Sequence, residues 1–203
     1  MRTMTDKETL LRELAEEILG CRKCRLWTGR TRAVPGEGRF ETGIVLIGEA
    51  PGKQEDLEGR PFVGAAGKLL TEALREAGVE RDLVYITNLV KCRPPGNRDP
   101  KPDEVNACSV YLERELEIIS PSVVITLGNH STRYMLRKVG KRVEGVLKVR
   151  GKVLRLGDTV IVPTIHPAAA LYNPRLRDLL VNDLKLALGL KRLRRGGLDE
   201  YLF

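Results

Sequence analysis

Two apolar runs in this chain end in side chains that could do chemistry. The run at residues 44–47 leads into Gly48 and Glu49. The run at residues 160–165 leads into His166, one of only two histidines. Short β-branched runs that stop in this way are typical of buried parallel strands entering loops. Because ligands of open α/β sheets bind beyond the carboxyl ends of the strands, a carboxylate and an imidazole at two such ends form a candidate active site.

Glycine and proline are concentrated after the first of these runs. The sequence GEAPG fills residues 48–52, and GRPFVG fills residues 59–64. Glycine has no Cβ, so it lets backbone amides come close to a small planar ligand. The pattern predicts a pocket whose walls are partly main chain.

The four cysteines form a second candidate site. Cys21 and Cys24 make a C-x-x-C pair, Cys92 follows the second predicted strand, and Cys108 lies on the next predicted helix. In a reducing compartment such a set indicates metal binding rather than disulfides. Four thiolates suit either a structural zinc or an iron–sulfur cluster, although the second pair lacks the C-x-x-C spacing of an ordinary zinc ribbon. Four unrelated buried cysteines are the alternative.

The composition favours a polyanionic partner. There are 35 Lys and Arg residues against 27 Asp and Glu, a net charge of +8. A basic balance suits nucleic acid, and the dense basic run at residues 191–195 is either a solvated helix end or a DNA contact. The sequence has no signal-peptide pattern and no stretch that could cross a membrane. We therefore expect a soluble, cytoplasmic, DNA-associated protein with no membrane partner.

Predicted strands and helices alternate along the chain. The strands lie at residues 44–47, 83–87, 122–127 and 160–165, and the helices at 5–20, 68–77, 103–119, 130–138 and 174–190. Residues 25–43 indicate a loop, and residues 143–156 indicate extended structure with glycine turns. The alternation predicts a three-layer α/β/α sandwich around a mainly parallel four-stranded sheet. We expect one domain over residues 1–203, a monomer, and a loose tail at 191–203 that could instead dock a partner.

Together these features resemble the family 4 uracil-DNA glycosylases, the iron–sulfur uracil glycosylases of bacteria and archaea. The resemblance runs from Cys21 to about Leu184. It rests on the four-cysteine pattern and on GEAPG at 48–52, GRPFVG at 59–64, NLVKCRPP at 88–95 and HPA at 166–168. It implies a monofunctional enzyme that flips uracil out of DNA and hydrolyses its N-glycosidic bond. It also implies a [4Fe-4S] cluster, rather than zinc, on Cys21, Cys24, Cys92 and Cys108.

The resemblance also suggests base contacts for three side chains. Phe62 would stack on the face of the flipped uracil, with a core aromatic as the alternative. Asn88 would donate to uracil O4 and accept from N3–H, a pattern that cytosine reverses, with a turn-forming residue at a strand end as the alternative. His166 would donate to uracil O2 as negative charge develops on the leaving base. His130 receives no role.

The GEAPG segment lacks the residues that in family 1 act on the water and exclude thymine, so other residues must take these two roles. The better-known family 1 enzymes have an Asp and a Tyr where this chain has Ala50 and Gly52. Glu49 would therefore orient the water or stabilise the cationic sugar, while the backbone amides of Gly48 and Ala50 contact uracil. Glu55 is the candidate that would exclude the thymine methyl group.

The segment after the histidine motif could contact the DNA around the flipped base. Leu171 is the candidate wedge for the gap in the base stack, and Arg175 is the candidate phosphate contact. Packing of Leu171 into the core is an equal alternative. The competing function is a non-catalytic iron–sulfur or zinc DNA-binding module. A covalently trapped variant of the superfamily is disfavoured because residues 93–102 contain no histidine, and no lysine stands out as a nucleophile for strand cleavage.

Overall fold

The computed structural model of this protein describes residues 3–195, with the side chains of residues 3–190. One sheet of six strands forms its centre. The strands are β1 (Glu37–Gly38), β2 (Ile44–Gly48), β3 (Tyr85–Asn88), β4 (Val123–Leu127), β5 (Leu154–Leu156) and β6 (Thr159–Thr164). Their order across the sheet is β1-β3-β2-β4-β6-β5. The four central strands are parallel, and β1 and β5 pair antiparallel at the two edges.

The four central strands are rich in apolar residues because both faces of the sheet are covered. Every residue of β2, β3 and β4 is buried. The predicted parallel core is confirmed, but the prediction of four strands is wrong, since the sheet has two more at its edges. These have only two and three residues, too short to show a periodic pattern. β1 lies in the predicted loop at 25–43, together with a 3-10 helix at Arg25–Thr28.

Seven helices surround the sheet in the described part of the chain. They are α1 (Met4–Gly20), α2 (Lys53–Glu58), α3 (Ala65–Glu76), α4 (Pro102–Ile119), α5 (Asn129–Lys138), α6 (Pro167–Ala170) and α7 (Pro174–Arg195). Leucines of α3 and α7 pack on one face of the sheet, and apolar residues of α4 and α5 pack on the other. The three-layer α/β/α sandwich is therefore confirmed. The short helices α2 and α6 were not predicted, because each lies within a glycine- or proline-rich segment.

The strand register brings the candidate active-site residues to one edge of the sheet. Gly48 at the end of β2 pairs with Asn88 at the end of β3. Leu127 at the end of β4 pairs with Thr164 at the end of β6, two residues before His166. Because these strands are parallel, all four carboxyl ends open toward the same side of the molecule.

The first helix positions the start of the cysteine set. Thr3 caps α1: its Oγ1 accepts from the Asp6 backbone N–H at 3.2 Å, and the Asp6 carboxylate accepts from the Thr3 N–H at 3.0 Å. The helix thus starts one residue earlier than predicted and ends at Gly20, as predicted. Its buried Leu14 and Ile18 belong to a core cluster with residues of α4. This packing fixes the position at which Cys21 leaves the helix.

The last helix is longer than predicted. α7 continues to Arg195, past the predicted end at Leu190. The side chains of residues 191–195 and all of residues 196–203 lie outside the described part of the chain. The loose tail, its docking partner and the DNA contact of the basic run therefore stay predictions, as do the single domain and the monomer. Among residues 3–195, no helix combines the length and the apolar character needed to span a membrane.

Candidate functional site

A pocket of about 330 Å³ opens beyond the carboxyl ends of β2, β3 and β6. Its volume is at the lower end of the range of small-molecule sites, roughly 300–1,000 Å³. The residues that line it are Glu49, Ala50, Pro51, Gly52, Glu55, Phe62, Ala66, Asn88, Pro94, Asn97, Arg98, His166 and Ala168. Six residues that the sequence singled out therefore share one cavity. Sequence reasoning missed the wall formed by residues 94–98, whose only signal was its proline and glycine content.

Gly48 lies directly behind this pocket and must remain small. A Cβ at this position would lie 2.3 Å from Asn88 Oδ1 and 2.6 Å from Phe62 Cζ. Real Cβ atoms do not come so close to other heavy atoms. The missing side chain of Gly48 is thus what lets the Asn88 amide and the Phe62 ring approach each other.

Phe62 belongs both to the pocket wall and to the core. Its ring is only 6% exposed, and its centroid lies 5.7 Å from that of the His166 ring. Its backbone has a φ of 52°, in the left-handed region that costs a non-glycine residue about 1–3 kcal/mol. The Arg81 guanidinium holds this turn by donating to the carbonyls of Pro61 and Phe62, at 2.6 and 2.9 Å. Strain kept in place by such contacts is characteristic of functional sites.

Asn88 presents an unused hydrogen-bond acceptor. The residue is 1% exposed, and its Oδ1 has no hydrogen-bond partner among the residues that the structure describes. A buried polar atom without a partner costs about 1–3 kcal/mol. A ligand with an N–H or O–H donor would remove this cost, so the Asn88 amide is suited to reading a polar edge.

His166 has a defined tautomer. It caps α6, and its Nδ1 accepts from the Ala168 backbone N–H at 3.2 Å. The proton of the neutral ring therefore resides on Nε2, which can donate to a ligand. Burial lowers the pKa of His166 to about 4, against the weaker opposite effect of the Glu55 charge. The residue is thus an uncharged donor at neutral pH.

Glu49 lies between the pocket and a second groove of about 430 Å³. Its Oε2 is 3.8 Å from His130 Nε2, and the same nitrogen is 3.1 Å from Asp99 Oδ2. Burial raises the pKa of Glu49; His130 acts to lower it, and Asp99 to raise it. The sequence placed His130 at the end of the third predicted strand, where it could approach the cleft, but assigned it no role; His130 follows β4 by three residues. Sequence reasoning missed Asp99.

Glu55 fastens the two glycine-rich loops together. Its Oε1 accepts from the backbone N–H groups of Val63 and Gly64 at 2.9 and 2.8 Å. Its Oε2 accepts from the Gly52 N–H at 3.1 Å. The carboxylate therefore shapes the pocket wall through the main chain. Its exclusion of a methyl group stays a prediction.

The segment after α6 is directed partly inward and partly outward. Leu171 is half-buried and packs against the core cluster, which favours the alternative given for it above. Tyr172 is 93% exposed and is the large apolar residue that this turn presents to solvent. Arg175 is exposed in the first turn of α7. Neither Leu171 nor Arg175 lines the pocket, so their DNA contacts stay predictions.

The four cysteines line a second, smaller cavity. None forms a disulfide, and Cys92 and Cys108 are buried. The sulfurs accept hydrogen bonds from surrounding donors. Arg30 Nη1 donates to Cys92 Sγ at 3.1 Å, and the Lys91 backbone N–H donates to Cys108 Sγ at 3.2 Å. Segments far apart in sequence thus converge on one site, as the spacing predicted.

The donor set of the cysteine site, four thiols, fits either a metal ion or an iron–sulfur cluster. Burial raises the pKa of Cys108 to about 12, and a bound cation would supply the positive charge that favours thiolates.

Comparison with known proteins points the same way as the geometry. Residues 35–185 match the family model described as the uracil DNA glycosylase superfamily. A type-4 uracil-DNA glycosylase of Sulfurisphaera tokodaii is 54% identical over 86% of this chain and 82% of its own length. The enzyme of that name from Saccharolobus solfataricus is 52% identical over 94% of this chain and 90% of its own length. One from Thermotoga maritima is 44% identical, over 91% of this chain and 96% of its own.

Proposed function

This chain belongs to the type-4 group of the uracil DNA glycosylase superfamily, and from that premise we propose that it removes uracil from DNA. The reaction is hydrolysis of the N-glycosidic bond, which leaves an abasic site for DNA repair. The observation that supports it most directly is the unpartnered Asn88 Oδ1, buried in a nucleobase-sized pocket beside Phe62 and His166.

Asn88 selects uracil by its pattern of donors and acceptors. Its Oδ1 accepts from uracil N3–H, and its amide N–H donates to O4. Cytosine has an acceptor at N3 and a donor at N4, so its acceptor would face the Asn88 Oδ1 and its donor would face the amide N–H. A site built to pair a polar edge rejects a mismatched base strongly because its own buried groups are left unpaired. Phe62 supplies the surface on which the base stacks.

His166 stabilises the departing base. When the bond between C1′ and N1 breaks, its electron pair goes to the base, and O2 gains negative charge. The Nε2–H of the neutral ring donates to that oxygen. A preorganised donor of this kind contributes about 10²–10³ in rate. The hydrogen bond from Ala168 to Nδ1 keeps the donor on the correct side of the ring.

Glu49 acts at the sugar. A base inside the pocket leaves its deoxyribose at the mouth, and Glu49 borders both the pocket and the adjoining groove. The Glu49 carboxylate stabilises the cationic C1′ and orients the attacking water. The oxygen of this water bonds to C1′, and the carboxylate takes up the proton that the water loses. The backbone amides of Gly48 and Ala50 complete the contacts to the base, and Glu55 excludes the thymine methyl group.

The segment at residues 171–175 contacts the DNA outside the pocket. Arg175 binds a phosphate, and the gap in the base stack is filled from the turn that carries Leu171. The exposed ring of Tyr172 offers this turn a larger apolar surface than the half-buried Leu171. The enzyme acts as a monomer on uracil-containing DNA.

The cysteine site holds a [4Fe-4S] cluster on Cys21, Cys24, Cys92 and Cys108. The spacing of the cysteines, with only one C-x-x-C pair, supports this choice over an ordinary zinc ribbon. When bound, the cluster supplies a structural cross-link, and no step of the hydrolysis requires it. The residues of this chain that serve it are Arg30 and Lys91, which donate hydrogen bonds to two of the sulfurs.

Uracil release from labelled oligonucleotides tests the proposal. Substrates with U:G, U:A, single-stranded U and T:G are compared under single-turnover conditions. We expect release from the three uracil substrates and none from T:G. DNA binding without release would instead support a non-catalytic DNA-binding module, and release from T:G would remove the thymine-excluding role of Glu55.

A further inference from the structure

A lysine that the proposed reaction does not use is buried behind the pocket. The Lys91 side chain is 1% exposed. Its Nζ donates to Glu115 Oε2 at 2.7 Å, to Thr87 Oγ1 at 2.6 Å and to the backbone carbonyl of Asn88 at 2.9 Å. All three ammonium donors are therefore used, and one of them holds the peptide of the residue that faces the base.

The partner of this lysine is equally well held. Glu115 is 1% exposed, and its two oxygens also accept from Thr87 Oγ1 at 2.8 Å, from the Gly36 N–H at 3.2 Å and from Tyr85 OH at 3.3 Å. The network thus joins α4 to β3 and to the chain before β1. It fixes the end of β3, where Asn88 lies, from the side away from the pocket.

The same lysine also reaches the cysteine site through its main chain. Its backbone N–H donates to Cys108 Sγ, and the next residue is Cys92. The segment from Asn88 to Cys92 is therefore fixed at one end by the ammonium and at the other by sulfur contacts. Little freedom remains for the Asn88 peptide.

Stability alone does not account for a buried ion pair. Well-packed apolar residues in its place are often neutral or stabilising, because two charges lose their hydration on burial. The contacts of Lys91 offer a different reason, since its ammonium fixes the carbonyl of Asn88, whose side-chain acceptor has no partner among the described residues.

We propose that Lys91 is a positioning residue for base recognition, which holds the Asn88 peptide so that its side-chain amide meets the uracil edge. The proposal rests on the proposed function, since it takes Asn88 to be the residue that reads uracil.

Two variants separate positioning from stability. Lys91→Met removes the ammonium but leaves the Glu115 charge unpaired, so it should also lower the melting temperature. Lys91→Met with Glu115→Gln removes both charges; the amide oxygen can still accept from Tyr85 and Gly36, and the amide N–H can donate to Thr87 Oγ1 in place of Lys91, so its melting temperature should recover. In both proteins, iron content per chain, affinity for abasic-site DNA and inhibition by free uracil are measured.

We expect the inhibition constant of free uracil to rise about tenfold in both variants, a loss of about 1.4 kcal/mol. Affinity for abasic-site DNA and iron content should stay at wild-type levels. Leu136→Ala is the matched control, because Leu136 is fully buried in the α5 core. It should lower the melting temperature without changing inhibition by uracil.

The outcomes distinguish the two proposals. If inhibition by uracil recovers together with the melting temperature in the double variant, Lys91 is structural only and the inference is wrong. The same holds if Lys91→Met is inhibited as strongly as the wild type. If the wild-type protein neither releases uracil nor is inhibited by it, the proposed function itself fails.

Discussion

The base pocket and the four-cysteine site share the segment around residues 88–92, yet they are built in different ways. The pocket is formed by strand ends and by main chain that the protein's own contacts hold, such as the three hydrogen bonds accepted by Glu55. The cysteine site gathers thiols from separate segments, and burial disfavours their charged form. The pocket walls are therefore held by the protein's own contacts, whereas we expect the cysteine site to depend on the metal group proposed for it.

This difference leads to opposite expectations for substitutions. In the pocket, a change should alter chemistry more than stability. In the cysteine site, a substitution should lower stability first, because the free energy of the proposed metal binding is partly folding free energy.

The largest effect is expected for Cys92→Ala. The variant should lose its iron and its broad visible absorption, and its melting temperature should fall by roughly 10 °C or more, since 1 kcal/mol corresponds to about 2–4 °C in a protein of this size. Iron and sulfide analysis with calorimetry checks this. If the variant retained both iron and wild-type stability, the cysteine site would not depend on its proposed ligand, and the difference from the pocket would not hold.

His166→Ala should show the reverse pattern. Single-turnover excision should fall by about 10²–10³, because a preorganised donor to the leaving base is lost. Affinity for DNA should stay close to wild type, since phosphate contacts dominate it. Excision is measured by product release and binding by fluorescence anisotropy. An unchanged rate in a folded, iron-loaded variant would exclude His166 from the mechanism, and a loss confined to DNA affinity would make it a binding residue.

Gly48→Ala tests whether the pocket depends on its missing Cβ. The added atom would collide with Asn88 Oδ1 and Phe62 Cζ. Displacing them by about 1 Å should slow excision by about 10², with a stability loss of about 1–3 kcal/mol.

Gly189→Ala is the matched control for Gly48→Ala. Apart from its chain neighbours and the backbone of α7, no described atom lies within 4 Å of the added Cβ, so stability should be unchanged or slightly higher. Equal excision by the two variants would show that the pocket can absorb the extra atom.

The smallest expected effect is on how the free energy of unfolding depends on pH. Because the pKa of folded His166 is about 4 and that of an unfolded histidine about 6.5, the unfolded chain binds the proton first as pH falls. The stability contribution of the neutral ring is thus present above pH 6.5 and is lost as pH falls toward 4. Urea unfolding at pH 7.5 and 5 should show a larger loss for the wild type than for His166→Gln. Equal losses would contradict a neutral, buried ring.

The sequence was informative where one pattern covers many residues. The four central strands were predicted because each is rich in apolar residues, and the cysteine set because C-x-x-C spacing is rare by chance. β1 was missed, and β5 was predicted only as part of the extended segment 143–156, because two or three residues show no periodic pattern.

The finer features of the site depend on distances that no spacing encodes. Asp99, in a loop, contacts His130 in the first turn of α5, and the Glu55 carboxylate contacts the backbone N–H of Val63, an interaction that does not depend on the Val63 side chain. The unpartnered acceptor of Asn88 is a property of its surroundings, not of its type. The roles proposed for these residues stay predictions until the variants are measured.

The order in which the cysteines leave the ribosome has a consequence for biosynthesis. Cys21 and Cys24 emerge with the first helix, whereas Cys108 lies on α4, beyond half of the sheet. At synthesis rates of roughly 5–20 residues per second, the first pair waits several seconds for its partners. During that time two exposed thiols can bind any soft metal ion at hand. We therefore expect the proposed cluster to be completed only after Cys108 has emerged.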